Sequence, residues 1–180
     1  MPTYIAMLRG INVSGQKLIK MERLRASLEA LGFDEVQTYI QSGNIVFKTA
    51  KQSADKLAKK IADIILTDFG FAVPVLIRIA DEMAAVVQGN PFLKKAASDE
   101  SKLHVTFLSD QAPSSAEKTL ALLAAKSERF KICGREIYLC LPDGYGNTKL
   151  SNSAIEKILS LQATTRNWKT VNTLLAMAQS

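Results

Sequence analysis

The chain has 180 residues, 47% of them hydrophobic, and its 23 lysines and arginines exceed its 17 acidic residues to give a formal net charge of +6. This size and composition allow one large domain or two small ones with a packed core and argue against wholesale disorder. No apolar run approaches the roughly 20 residues that a membrane helix needs, and residues 1–8 lack the basic leader of a signal peptide. We expect a soluble, cytoplasmic protein with no membrane contact.

The first half of the chain alternates strand and helix patterns in the order β-α-β-β-α-β. Short β-rich runs predict the strands, and apolar residues spaced three and four apart predict the helices. In chain order, the predicted elements are a strand at 3–9, a helix at 20–31, strands at 35–40 and 44–48, a helix at 54–69 and a strand at 72–79. Pro74 favours an edge position for the last strand. The order is that of a ferredoxin-like unit.

The second half repeats most of this order after a linking helix at 81–88 and a charged linker at 94–101. The further predicted elements are a strand at 103–108, a helix at 114–126, strands at 129–133 and 136–141, a helix at 152–161, a short last strand near 163–165 and a closing helix at 167–178. We therefore predict an α+β protein with a ferredoxin-like domain at 1–79 and a second α+β domain, also ferredoxin-like, at 80–180.

The two cysteines flank one predicted hairpin of the second half. With a turn at Gly134-Arg135, Cys133 faces Glu136 and Cys140 lies near Arg129, so the thiols are several residue pairs apart and cannot form a disulfide. Reduced thiols are typical of a cytosolic protein. With one histidine and two separated cysteines, we expect no metal site, and no motif predicts a cofactor.

Two polar loops, residues 9–17 and 41–44, interrupt the apolar sequence of the first half. In a β-α-β-β-α-β unit, the end of the first strand and the turn between the second and third strands lie at the same end of the sheet, so these loops should meet. Their basic, amide and glycine residues suit an anion or a polar small molecule. The candidate ligand-binding residues are Arg9, Asn12, Lys17, Tyr39, Gln41, Ser42 and Asn44. The alternative is ordinary hairpin and loop chemistry.

The spacing Gly10-x-x-x-x-Gly15-Gln16-Lys17 is similar to a P-loop but departs from it in two ways. An extra Gln separates Gly15 from Lys17, and Leu18 follows where Ser or Thr should coordinate magnesium. No parallel sheet is predicted either. These departures argue against hydrolysis of a nucleoside triphosphate.

A second polar cluster is predicted in the second half, where the loop 142–152 and the segment 164–167 should lie at one sheet end. Arg166 and Asn167 join the candidate ligand-binding residues, although a structural salt bridge competes for Arg166. Ser151 or Asn152 is the expected helix cap. His104, inside a predicted strand, and Trp168, on a helical stripe, are expected to be packed residues.

Several stretches together resemble the bacterial family called domain of unknown function 1697. They are Leu8-Arg9-Gly10-Ile11-Asn12-Val13-x-Gly15, the helix pattern from Met21 to Phe33, Thr38-Tyr39-Ile40-Gln41-Ser42-Gly43-Asn44 and Thr165-Arg166-Asn167-Trp168-x-Thr170-Val171. The resemblance implies a ferredoxin-like α+β fold and no particular activity. It singles out the same polar segments as the topology.

Three functions compete at this point. The first is binding of an anionic or polar small ligand, such as a nucleotide or another phosphate-bearing molecule, at 9–17 and 41–44. The second is binding of RNA or single-stranded nucleic acid across the sheet, with Tyr4 and Phe47 as stacking candidates. The third is a small enzyme on a phosphorylated substrate, with Asp68 or Asp143 as base, although no catalytic signature is present. The first strand is apolar on both faces, so a second half or a homodimer partner should cover one of them.

Overall fold

A computed structural model describes residues 1–93 and 99–180. The chain forms two compact units, the first comprising Met1–Ala84 with Thr173–Ser180 and the second comprising Ala85–Asn172. Part of the predicted linker, residues 94–98, lies outside the described residues. The division of the chain into two domains, 1–79 and 80–180, stays a prediction.

The first unit is a four-stranded antiparallel sheet with two helices against it. Its elements are β1 (Thr3–Leu8), α1 (Met21–Ala30), β2 (Asp34–Tyr39), β3 (Asn44–Lys48), α2 (Ala54–Phe69) and β4 (Val75–Ile79), followed by the start of α3 (Ala80–Gln88). The strand order is β2-β3-β1-β4, with every neighbouring pair antiparallel. This confirms the ferredoxin-like pattern and the edge position of the strand after Pro74.

The helix α2 shows how local sequence sets the element boundaries of this unit. The Ser53 hydroxyl accepts a hydrogen bond from the backbone N–H of Lys56 at 3.2 Å and caps the first turn. Gly70 ends the helix in the left-handed conformation, with φ of 82°. Between them, Leu57, Ile61 and Ile65 form the buried stripe that packs into the core beneath the sheet.

The central strand β1 is buried on both of its faces, as its sequence predicts. Tyr4, Ala6 and Leu8 belong to the core shared with α1 and α2, whereas Ile5 and Met7, which point the other way, are also fully buried. The first unit includes the end of the closing helix, and Met177 lines a small cleft together with Val46 of β3. C-terminal residues of the same chain therefore help to bury the face of the sheet that carries Ile5 and Met7.

The second unit repeats the strand order of the first. Its elements are the end of α3, β5 (Leu103–Leu108), α4 (Ala116–Ala121), β6 (Arg129–Cys133), β7 (Glu136–Cys140), α5 (Asn152–Leu159), β8 (Ala163–Asn167) and the start of α6 (Trp168–Gln179). The order is β6-β7-β5-β8, again antiparallel throughout. Both cysteines are free thiols at opposite ends of the β6–β7 hairpin, as predicted.

Three predicted elements of the second unit differ in length from the structure, and the helix predicted at 152–161 is α5, which ends two residues earlier at Leu159. The helix predicted at 114–126 is α4, only six residues long, because its chain continues through turns after Ala121. The last strand, predicted as a short extended piece near 163–165, is the five-residue β8, which pairs with β5 along its whole length. The strand contains three consecutive polar residues, Thr164, Thr165 and Arg166. An apolar pattern therefore predicts only part of it.

Candidate functional site

The two polar loops of the first unit meet at one end of its sheet. The backbone N–H of Leu8 donates to the carbonyl of Gly43 at 2.8 Å, and the N–H of Arg9 donates to the carbonyl of Pro74 at 3.0 Å. Because β1 runs antiparallel to both β3 and β4, its C-terminal end lies beside the starts of those strands. We name residues 9–20, 40–44 and 70–74 the loop surface. The predicted meeting of the loops is confirmed.

Asn12 is the side chain that ties the two loops together. Its Nδ2 donates to the carbonyl of Gln41 at 2.7 Å and to the carbonyl of Ile19 at 3.0 Å. Its Oδ1 accepts from the N–H of Ile19 at 2.8 Å. The whole amide is occupied by backbone partners, so Asn12 holds the loop surface in shape and has little hydrogen-bonding capacity left for a ligand.

Asn44 and Ser42 close the turn between β2 and β3. Asn44 is fully buried, and its Nδ2 donates to the carbonyl of Tyr39 at 2.9 Å and to the Ser42 hydroxyl at 3.0 Å. Gly43 has a φ of 86°, and a Cβ added there would lie 2.8 Å from the Cβ of Leu8. These polar residues build the turn, which was the alternative interpretation of their sequence pattern.

Lys17 is the cation that links the first loop to the segment before β4. Its Nζ donates to the carbonyl of Ala72 at 2.9 Å, and its own carbonyl accepts from the N–H of Asn12 at 3.0 Å. An ammonium group has three donors, so two remain to meet an anion. Arg9 is half-buried at the same sheet end, and Gln41 is exposed. The Tyr39 side chain is half-buried at the top of β2.

Positive φ angles are concentrated in the loop surface. Asn12, Ser14, Lys17 and Ile40 have φ values of 53°, 51°, 49° and 50° although none of them is glycine. Asparagine tolerates this region, but a β-branched residue there is a true outlier. Sparsely populated backbone conformations are held in place only by their surroundings and cluster at functional sites.

The charge on the loop surface is of one sign. Arg9, Lys17 and Lys20 lie in it, and its three segments contain no aspartate or glutamate. On the adjacent helices, the Asp68 carboxylate accepts from the Ser27 hydroxyl at 2.6 Å, and Arg23 lies 4.9 Å above the Phe69 ring. The three segments of the loop surface therefore carry only positive side-chain charge of their own, although the net charge of the whole chain is mild.

The two site candidates of the second unit have structural partners. Arg166 is buried on β8, where its Nη1 donates to the Thr164 hydroxyl at 2.7 Å and to the Thr165 carbonyl at 3.1 Å. Burial lowers the pKa of Arg166 to about 10, so it stays charged at neutral pH. The Oδ1 of Asn167 accepts from the N–H of Thr170 at 2.8 Å and caps α6.

Arg166 has a counterpart in the first unit that the sequence did not reveal. Arg78 of β4 is paired with Ile5 of β1, and Arg166 of β8 is paired with Val105 of β5, at the same rung of the same strand order. Both arginines are buried. The repeated position marks Arg166 as part of the repeated architecture.

His104 joins the polar cluster predicted at one end of the second sheet, which its position inside a strand pattern did not indicate. The ring of His104 stacks on Tyr145, with 5.7 Å between ring centroids. The Tyr145 hydroxyl accepts from the N–H of Asn152 at 3.0 Å, and the Asn152 Oδ1 accepts from the Thr165 hydroxyl at 2.6 Å. The predicted placement of the loop 142–152 beside the end of β8 is confirmed, because these contacts join the two.

His104 itself is half-buried in this cluster. Burial lowers its pKa, and the nearby backbone of Lys102 offsets part of this effect. Among the described residues, the buried Nδ1 of His104 makes no hydrogen bond of good geometry, so the Lys102 backbone is a weak partner. The neutral imidazole is the form that the fold favours.

Aromatic side chains suggested for nucleic-acid stacking lie in the core. Tyr4 stacks on Phe47, and Phe47 stacks on Phe33 with 4.6 Å between centroids. Tyr4 and Phe47 are both buried against the helices. A base could not reach either ring without unfolding this core, so the stacking candidates were wrong.

The comparisons with known proteins place the chain in a family. Residues 1–138 match the family described as "Protein of unknown function (DUF1697)", and the chain belongs to that family. The conserved bacterial protein SP0830 from Streptococcus pneumoniae has a similar structure, with a TM-score of 0.71 over 98% of both chains at 23% sequence identity. That likeness supports the fold. No curated protein matches the chain.

Within residues 1–93 and 99–180, no group of three or more His, Cys, Asp or Glu side chains is placed to hold a metal ion. None of their helices has the length and apolarity needed to span a bilayer.

Proposed function

We propose that the loop surface binds an anionic small ligand through a phosphate or a similar group. The observation that carries the proposal is the charge of this surface: three basic residues and no acidic one at the place where both loops and the segment 70–74 come together. An anion here would meet the two remaining donors of Lys17 and the exposed ammonium of Lys20.

The backbone of the first loop adds to this support. The sign of φ alternates from Asn12 through Val13 to Ser14, a pattern that turns neighbouring N–H groups toward one side and is typical of anion-binding nests. Ser14 and Gly15 are both exposed. Because Asn12 fixes the loop by three hydrogen bonds, these donors are held in position before a ligand arrives.

Because Asn12, Ser42 and Asn44 have structural roles, the proposed site is smaller than the set of candidate residues. Their side chains hold the loops, so the ligand contacts fall to Lys17, Lys20 and the loop backbone, and Arg9 adds positive charge at the same sheet end. A surface site of this kind, with few buried contacts, is expected to bind a simple phosphate weakly, with a Kd on the order of 1 mM.

The test is a titration of the full chain, labelled with ¹⁵N, by inorganic phosphate and by adenosine triphosphate. Saturable shifts confined to amides of residues 9–20, 40–44 and 70–74 are expected. The double variant Lys17→Gln/Lys20→Gln should lose them, because it removes two of the three cationic side chains of the loop surface.

The matched control is Lys51→Gln/Lys56→Gln, which removes two exposed lysines from the region around the start of α2. It lowers the net charge by the same amount and should leave the shifts unchanged. Equal losses in both double variants would reduce the effect to net charge and refute a site on the loop surface.

A further inference from the structure

The loop surface also exposes three aliphatic side chains. Val13, Leu18 and Ile40 are 58%, 64% and 47% exposed. Each lies next in sequence to a residue of the hydrogen-bonded centre of this surface: Val13 follows Asn12, Leu18 follows Lys17, and Ile40 precedes Gln41. The three exposed side chains therefore belong to the same two loops as Arg9 and Lys17.

The backbone holds these side chains outward in a defined shape. Residues 13–16 are four consecutive exposed residues at the tip of the first loop, where the N–H of Gln16 donates to the carbonyl of Val13 at 2.9 Å. Ile40 keeps its side chain exposed while its backbone has a φ of 50°, a conformation that β-branched residues avoid. Neither stability nor solubility accounts for an exposed isoleucine in this conformation.

We infer that the loop surface docks on a lipid bilayer that contains anionic lipids. This inference rests on the proposed function, since lipid phosphates would be the anions that Lys17 and Lys20 meet. The aliphatic side chains of Val13, Leu18 and Ile40 would enter the boundary between headgroups and acyl chains. Composition predicted no membrane contact because it tests only for spanning segments, whereas this contact needs a few exposed side chains.

The shape and chemistry of the surface favour a bilayer over other anionic partners. Nucleic acids are bound by basic grooves with aromatic side chains that stack on bases, and the exposed residues here are aliphatic. Peptides dock in grooves or along sheet edges, whereas these side chains stand on an exposed loop and a turn. An exposed apolar tip with basic flanks complements a flat, negatively charged and deformable surface.

The experiment is sedimentation of the full chain with vesicles of phosphatidylcholine containing about one third phosphatidylglycerol, compared with pure phosphatidylcholine. Binding is expected only to the anionic vesicles and should fall as salt rises. Val13→Ser/Leu18→Ser should weaken it about tenfold or more, because it removes most of the inserted apolar groups without changing a charge. Leu122→Ser, which removes a leucine that is 86% exposed in the second unit, should have no effect.

The outcomes separate this inference from the proposed function. Leu18→Ser alone, which leaves the backbone from Asn12 to Ser14 and both lysines intact, should leave the phosphate titration unchanged, whereas Lys17→Gln/Lys20→Gln should lose both phosphate and vesicle binding. A wild-type chain that binds phosphate but no vesicles would overturn the docking inference and leave the proposed function standing. The docking inference would also be overturned if Val13→Ser/Leu18→Ser bound anionic vesicles as well as the wild type does. Tight binding of a single-stranded oligonucleotide by a chain that does not bind vesicles would overturn it too.

Discussion

The Nδ2 of Asn12 lies 2.7 Å from the backbone carbonyl oxygen of Gln41, 29 residues further along the chain. This contact joins the loop after β1 to the turn before β3, and the same Nδ2 together with the Oδ1 of the amide holds Ile19 at the entrance to α1. The strand order places both loops at the same end of the sheet. The Asn12 side chain then sets the distance between them.

Asn12→Ala should destabilise the protein by about 1–3 kcal/mol, because it leaves two carbonyls and one N–H of the loops without their protein partner. Asn12→Asp should also destabilise it, since the carboxylate keeps the acceptor for Ile19 and loses both Nδ2 bonds. Urea unfolding curves measure the effect. Gln16→Ala, at an exposed position in the same loop, is the control and should change the midpoint little.

Gly43→Ala should destabilise the protein more than Gly15→Ala. Both glycines have a positive φ, 86° and 73°, so an alanine at either position carries the same kind of backbone cost of about 1 kcal/mol. At position 43 the new methyl group would also lie 2.7 Å from Cδ1 of Ile11 and 2.8 Å from Cβ of Leu8, whereas nothing lies within 4 Å at position 15. Equal losses of melting temperature would mean that the tight packing at Gly43 is not maintained in solution.

The sequence predicted the fold of this protein more accurately than it predicted the roles of the polar residues in the two loops. The apolar stripe of α2 and the strand order follow from periodicity, because burial of one face repeats at fixed intervals. The meeting of the loops followed from topology alone. The sequence pattern does not distinguish an asparagine such as Asn44, which is buried in a turn, from one that binds a ligand, because both uses favour Asn next to Gly.

The stacking of His104 on Tyr145 could not be predicted from the sequence for a different reason. The two residues are 41 positions apart, and only the register of β5 against the loop after β7 brings their rings together. The same applies to Arg166, whose equivalence with Arg78 depends on strand pairing. Such contacts depend on packing between elements, which a periodic pattern does not encode.

Ile40→Asn should stabilise the protein by about 1 kcal/mol. Asparagine adopts the left-handed region more readily than a β-branched residue, and the packing lost with the isoleucine side chain is limited because Ile40 is 47% exposed. The melting temperature should rise by roughly 2–4 °C for a chain of this size. A fall in melting temperature would indicate that the Ile40 side chain contributes to the packing of the turn in solution.

The effect of Ile40→Asn on vesicle binding gives this substitution a second use. If the isoleucine is kept for docking, the more stable variant should bind anionic vesicles more weakly. Gain of stability with loss of binding is the trade-off expected of a residue retained for function. Unchanged binding would limit the inserted residues to Val13 and Leu18.

The stability of the second unit should depend on pH through His104, which is the only histidine of the chain. Its folded-state pKa is lowered, mainly by burial, from the usual value near 6.5. Between the two pKa values the unfolded chain binds more protons than the folded one, so the free energy of unfolding falls as pH drops below about 6.5. The loss is complete once pH is below the folded pKa.

Two measurements check this behaviour. An NMR titration of the single imidazole should give a pKa below 6.5 in the folded protein and near 6.5 in urea. His104→Phe keeps a ring to stack on Tyr145 and cannot titrate, so its unfolding midpoint should fall less than that of the wild type between pH 7.5 and 5. The carboxylates contribute equally to the pH dependence of both proteins. The difference between the two pH profiles is therefore the contribution of His104. Parallel pH profiles would show that the imidazole is as well solvated in the folded state as in the unfolded chain.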